Sequence, residues 1–412
     1  MRRTLLFSLA FITLMLQAQN KPYITKVYDF LPAPGQFVNV SPKFEPGDSF
    51  ESVMARVEQA ICGTTTITSE EVEMPDGSVI MVNDTTINVK PGMISLGTFG
   101  GYVVFGFDHP VVNVEGEYDL QVFGNSFQAE GSSTSGGSCE PGIVLVSRDV
   151  NGNGIPDDPW YELAGSEYNN PKTQKHFSIT YYKPDENKTP VPGQGAITDV
   201  EYIRWTCNSV DSLQEGYVHK NSFHKQSYWP QWAEGETLTF EGTKLPCNAV
   251  NEGTGSSEYW VQHFYDWGYV DNRTDWAYGY AYNAPSAYET SNKGFKLDWA
   301  VDDDGNSVEL KKIDFVKVYS AMLQQCGWLG ETSTEVCGAI DLHPDAVPEP
   351  DPEAVAGDVN GDQVCNSADV TALYKFILSN DSSTIVNGDQ NDDGTVNSAD
   401  VTAVYKIILG EK

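Results

Sequence analysis

The chain has 412 residues, 58 of them acidic and 25 basic, for a formal charge of −33. That excess makes nucleic acid and anionic membrane poor partners for the surface as a whole. The length allows one large domain, or two fused ones, beside smaller modules.

At the start, Arg2 and Arg3 precede an apolar run from Leu5 to Leu16, which Gln17 and Ala18 follow. This is the pattern of a secretory signal peptide over residues 1–18, cleaved after Ala18, and the run is too short to span a membrane. The expected product is secreted or held at the cell surface and does not span the membrane. Residues 19–343 form the body. Phe50, Val53, Val57 and Ile61 recur at helical spacing after Ser49 and predict one amphipathic helix. Elsewhere short apolar or alternating runs are cut by Gly, Pro and Asn: residues 102–107, 118–123, 143–146, 176–182, 238–240 and 313–319. They predict a mainly β body, an antiparallel sandwich of the jelly-roll kind.

Three segments of the body carry recognisable chemistry. In the first, Asp149, Asn151 and Asn153 are followed by Gly154, Asp157 and Asp158. This spacing of oxygens fits a calcium loop without flanking helices, or else an Asx-rich turn closed by side-chain to backbone bonds. The second is an aromatic concentration over residues 259–288, with Trp260, Tyr265, Trp267, Trp276, Tyr278 and Tyr280 as candidate ligand-binding rings. Some of these rings must be core; exposed ones can stack on sugar rings or flat cofactors while phenol and indole groups make polar contacts. The third contains Asp302, Asp303 and Asp304 before Gly305, a solvated hairpin turn, and then Glu331 and Glu335, which read as a surface edge or else as part of a site.

Six cysteines lie in the body: Cys62, Cys139, Cys207, Cys247, Cys326 and Cys337. Secretion permits disulfides, and Cys326–Cys337 and Cys207–Cys247 are the candidate pairs. The body also resembles a group of uncharacterised secreted or surface proteins of gut Bacteroidetes. The resemblance rests on residues 30–39, on 149–166 and on Phe315-Val-Lys-Val-Tyr319 with residues 330–336. It implies surface capture of nutrients, corrinoids among them, and supplies no catalytic residue.

Residues 344–356, with Pro344, Pro348, Pro350 and Pro352 among acidic residues, form a stiff extended linker. Residues 357–412 then hold two near-copies of one block. Asp358, Asn360, Asp362, Asn366 and Asp369 mark the first, and Asp389, Asn391, Asp393, Asn397 and Asp400 the second. Oxygen donors thus fall at loop positions 1, 3, 5, 9 and 12, as a hard cation such as Ca²⁺ requires. Each loop runs into Val-Thr-Ala-x-Tyr-Lys, with Val370, Leu373 and Ile377 or Val401, Val404 and Ile408 at helical spacing. The pair resembles a type I dockerin, which implies a small all-α module, two bound Ca²⁺ and a cohesin-like protein as partner. Gln363 stands where the loop normally has Gly, and Cys365 replaces the aliphatic residue found as Val396 in the second loop. The first site is therefore expected to bind more weakly, and Cys365 reads as a lone buried thiol.

No nucleophile elbow, zinc-binding His pair or phosphate loop is present in the sequence. The reading is a secreted, non-catalytic protein that binds a glycan or small nutrient through residues 19–343 and is anchored by its dockerin-like tail. The alternatives are a polysaccharide-degrading glycoside hydrolase, a corrinoid-binding surface protein, or a purely structural one.

Overall fold

Along the strand Gly142–Ser147, Val144 and Val146 enter one hydrophobic cluster while Ile143 and Leu145 enter another. The same split recurs on Phe315–Ser320, where Val316 and Val318 face the first cluster and Tyr319 the second. Successive side chains of a strand point to opposite faces, so the sheet containing both strands is buried on both sides. The computed structural model describes residues 20–45, 47–73, 79–128, 136–209, 213–254, 257–273, 293–348, 355–361, 364–379, 385, 387–391 and 395–410. The expected signal peptide lies outside them, as do residues 349–354 of the linker and the rings of Trp276, Tyr278 and Tyr280.

That central sheet has six strands in the order Lys26–Leu31, Tyr102–Gly106, Phe315–Ser320, Gly142–Ser147, Trp160–Leu163 and Ala300–Val301, each pair antiparallel. One face packs on helix α1 (Phe50–Ile61), which turns Val53, Val57 and Ile61 inward. Ser49 starts the helix by accepting from the Ser52 backbone N–H at 3.2 Å, an N-cap contribution of about 1 kcal/mol. Phe50, assigned to the same stripe, is instead 48% exposed. It lies in the first turn, before the helix meets the sheet.

The other face packs on a four-stranded sheet in the order Glu215–Asn221, Ile197–Cys207, Gln174–Tyr182 and Thr237–Lys244. Phe177, Ile179, Tyr181, Ile203, Val218 and Phe240 fill the layer between. The expected sandwich is therefore present, with α1 added as a third layer. Two hairpins were missed in the sequence: Ile197–Cys207 with Glu215–Asn221, and Thr64–Glu73 with Val79–Asn88. The second is rich in Thr and Glu and leaves Ile67 and Met81 exposed, so no apolar face announces it. The turn at Asp302 forms as expected, with the Asn306 N–H donating to its carboxylate at 2.7 Å.

None of the seven cysteines forms a disulfide. Cys326 faces the Thr332 hydroxyl at 3.5 Å and Cys207 donates to the Leu213 carbonyl at 3.4 Å. Neither candidate disulfide forms, and one thiol of each pair is turned to a local oxygen.

At the C-terminus, helices α2 (Ser367–Ser379) and α3 (Ser398–Ile408) bury Val370, Leu373, Val401 and Val404 against one another. Ile377 and Ile408, placed in the same stripes, are 38% and 39% exposed. Val359 and Ala372 take their place in this small core. Among the described residues, no helix is long and apolar enough to cross a membrane.

Candidate functional site

The two C-terminal loops are built by the same bonds. Asp369 is fully buried, and its carboxylate accepts from the backbone N–H groups of Val359 at 2.8 Å, Asn360 at 3.1 Å and Asn366 at 2.7 Å. Asp400, equally buried, accepts from Gln390 at 2.8 Å, Asn391 at 3.3 Å and Asn397 at 2.8 Å. Each carboxylate thereby folds its loop back onto the start of its own helix. Asn366 and Asn397 accept from the N–H groups of Ala368 and Ala399 and so cap α2 and α3. Asp358 is buried and closes the first loop by accepting from Gly361 at 2.8 Å.

Of the donors named for calcium, Asp358, Asn366 and Asp369 in the first loop and Asn397 and Asp400 in the second take part in these bonds, while Asp362 and Asp393 lie outside the described residues with Gln363. The donor set is carboxylate and amide oxygen throughout, the chemistry Ca²⁺ takes. Among the described residues no basic side chain forms an ion pair with Asp369 or Asp400, and a buried carboxylate without a counter-charge suits a cation. The loops are also joined across the pseudo-repeat: the Gly357 N–H donates to Gln390 Oε1 at 2.8 Å. Cys365, expected to be buried, is half-buried at the edge of the helix core.

In the body, the loop from Asp149 to Asp158 curls on its own backbone. Asp149 accepts from Asn153 and Gly154, Asn151 from Asn153, and Asn153 from Ile155, at 2.7–3.0 Å. Gly152 and Gly154, at φ +72° and +71°, permit the curl. Asn153 also donates to both oxygens of Asp157 at 3.2 Å. The backbone N–H of Asp149 is held by Asp314, and burial pushes the carboxyl groups of Asp314 and Asp158 upward.

The candidate rings do not share one set of partners. Trp260 is half-buried with its indole N–H toward Glu258. Tyr265 donates to the Pro246 carbonyl and meets Tyr269 edge-on at 5.5 Å, as part of the inter-sheet core. Trp267 is 44% exposed and lies 4.6 Å from Trp299.

Sequence reasoning missed the strongest electrostatic feature. Glu331 and Glu335, read as a surface edge, are only 6% and 4% exposed. The Gln36 N–H donates to Glu331 Oε1 at 2.6 Å, while Oε2 finds no hydrogen-bond partner. Burial pushes the Glu331 carboxyl up to about 8. Glu335 joins Glu140 and Asp271, with carboxylate oxygens all within 4.8 Å of one another. Like charges this close cannot all ionise, and burial drives the carboxyl groups of Glu335 and Glu140 upward. The enclosure of these acids has a non-local cause. Backbone amides of Glu335 and Asn125 fix Asp271 at 2.9 and 2.8 Å, and that of Ser333 fixes Glu140 at 3.1 Å.

Comparison with known proteins bears on one part of the chain. The model of the dockerin type I domain matches residues 356–409, spanning both loops and both helices. No curated protein matches the chain. The C-terminal module is a type I dockerin, a calcium-binding domain of the kind that docks on a cohesin in extracellular or cell-surface assemblies.

Proposed function

We propose that residues 19–343 capture a glycan or small nutrient outside the cell, while the dockerin holds them to a cohesin-bearing assembly. One observation carries this reading: the body encloses a few acids and displays four rings. Glu140, Glu331 and Glu335 are held by backbone amides or neighbouring polar groups in enclosed sites. Phe223, Tyr259, Trp267 and Trp328 are 62%, 46%, 44% and 38% exposed. Aromatic rings fixed in solvent offer stacking faces to sugars or flat cofactors.

In the screen that tests this, the full chain in calcium buffer is followed by tryptophan fluorescence against polysaccharides and cobalamin, with reducing ends assayed in the same wells. Saturable binding without new reducing ends is expected. A chain that binds nothing on either panel ends the capture reading. A hydrolase is the second reading, favoured by the raised Glu331 carboxyl, since a general acid must hold its proton near neutral pH. New reducing ends that vanish in Glu331→Gln would establish it.

The calcium complement is three ions: two in the dockerin loops and one in the loop of Asp149, Asn151, Asn153 and Asp157. In the body loop an ion would replace the backbone amides as partner of Asp149 and Asn151. Elemental analysis of the dialysed chain is expected to give three Ca²⁺, and two for Asp149→Ala. Two in both would make that loop an Asx turn alone.

A further inference from the structure

Two turns meet at one point of the body surface, and a single buried amide holds both. The first follows the strand Glu215–Asn221 and carries Phe223 and His224; the second, Gly327–Leu329, carries Trp328 and Leu329. Between them lies Gln36, 4% exposed. Its side-chain NH₂ donates to the Leu329 carbonyl at 3.0 Å, and its side-chain oxygen accepts from Asn221 Nδ2 at 2.6 Å. Asn221 in turn accepts from the N–H groups of Phe223 at 3.1 Å and His224 at 3.0 Å. The second turn is also fixed at both ends by glycines in the left-handed region. Gly327 has φ +53° and Gly330 φ +105°. A Cβ at Gly327 would run into Trp260, and one at Gly330 into Gln36.

These bonds hold apolar side chains outward. Phe223, Trp328 and Leu329 are 62%, 38% and 40% exposed, and the two rings form a corner, 5.9 Å between centroids and inclined at 64°. Surface turns are ordinarily the mobile part of a domain. Fixing a flexible turn in its bound form before the ligand arrives is what raises affinity.

We propose that the Phe223–Trp328 corner is the ligand-contacting subsite of the body and that it takes an uncharged sugar ring of a glycan; this rests on the capture reading above. A pyranose has an apolar C–H face to lay on a ring and hydroxyls around its edge. Hydroxyl partners stand at the rim: His224, next to Phe223 and kept below its ordinary pKa by burial, and Glu258, which lies against Gly327 beside Trp260. The charge of −33 opposes an anionic ligand. Two rings and one leucine suit a single sugar, whereas a stable protein partner needs about 800 Å² a side.

Affinity electrophoresis of the full chain in calcium buffer tests the assignment, with gels containing xylan, mannan, mixed-linkage β-glucan or polygalacturonan. Wild type is expected to be retarded in at least one neutral gel. Trp328→Ala and Phe223→Ala should each weaken retardation about tenfold or more, Trp328→Tyr should restore most of it, and Ile67→Ser on the outlying hairpin should change nothing. If wild type and Trp328→Ala are retarded alike, the corner is not the subsite although glycan capture stands. Retardation by polygalacturonan alone overturns the uncharged ligand. No retardation in any gel overturns this subsite together with glycan capture.

Discussion

Asp400→Ala is expected to abolish the calcium-dependent folding of the dockerin and, with it, docking to a cohesin. The buried Asp400 carboxylate serves three backbone N–H groups at 2.8–3.3 Å. Removing it strands all three at about 1–3 kcal/mol each. Against that loss stands a core of only a few apolar side chains, chiefly Val359, Val370, Leu373, Val401 and Val404. A module this small draws much of its folding free energy from the bound ion. Asp400→Asn should be milder, because an amide oxygen still accepts while the charge toward the cation is gone. The measurement is helical circular dichroism of the full chain on heating, with calcium and with a chelator. Wild type should show a separate transition that the chelator removes, and Asp400→Ala should lack it in both buffers. Identical melting of wild type with and without calcium would refute the argument.

The dockerin was legible because its signal is local. Ligand oxygens are spaced within one loop, and the carboxylate that closes each loop bonds amides no more than ten residues away, as Asp369 does with Val359. The central strands were legible for a similar reason: residues 143–146 are apolar on both faces, as a doubly covered strand must be, and 315–319 are broken only by Lys317. Ile377 and Ile408 fit the helical period yet stand in solvent. Period alone does not say where a short helix leaves its partner.

The body's polar interior was not legible. Nothing in the sequence around Glu331 or Glu335 marks them as buried. Glu331 is enclosed because the Gln36 N–H, 295 positions earlier, reaches it, and Glu335 because Asp271 accepts from its N–H. The segments holding Gln36 and residues 330–336 were singled out separately in the sequence. Their contact is a product of topology. The aromatic run misled in the opposite way, since Tyr265 went to the core while Trp328, outside the run, reached the surface.

Those enclosed acids predict a body that loses stability as pH rises through neutrality. An ordinary Glu titrates near 4.5, and burial brings Glu331 to about 8. Between these values the unfolded chain has released a proton that the folded chain keeps, so stability falls with increasing pH. The contribution is complete below about pH 4.5 and lost as pH passes the folded value. One such group gives a slope of about 1.4 kcal/mol per pH unit, large beside a typical stability of ~5–15 kcal/mol. Glu335 acts in the same direction, its carboxyl pushed upward by burial beside Glu140 and Asp271. Groups with lowered values oppose this: Asp48 paired with Arg56 in the acid range, His219 and His224 just below their ordinary value, and Lys175 above about pH 8. The clean comparison is therefore between variants. Glu331→Gln keeps an oxygen for the Gln36 N–H, which now binds Oε1 at 2.6 Å, and cannot ionise. Its body should match wild type near pH 4.5, exceed it by a few kcal/mol at pH 8, and unfold in urea with a shallower pH dependence between. Equal pH slopes for wild type and Glu331→Gln would mean that Glu331 is charged in the folded body, with a counter-ion beside its second oxygen.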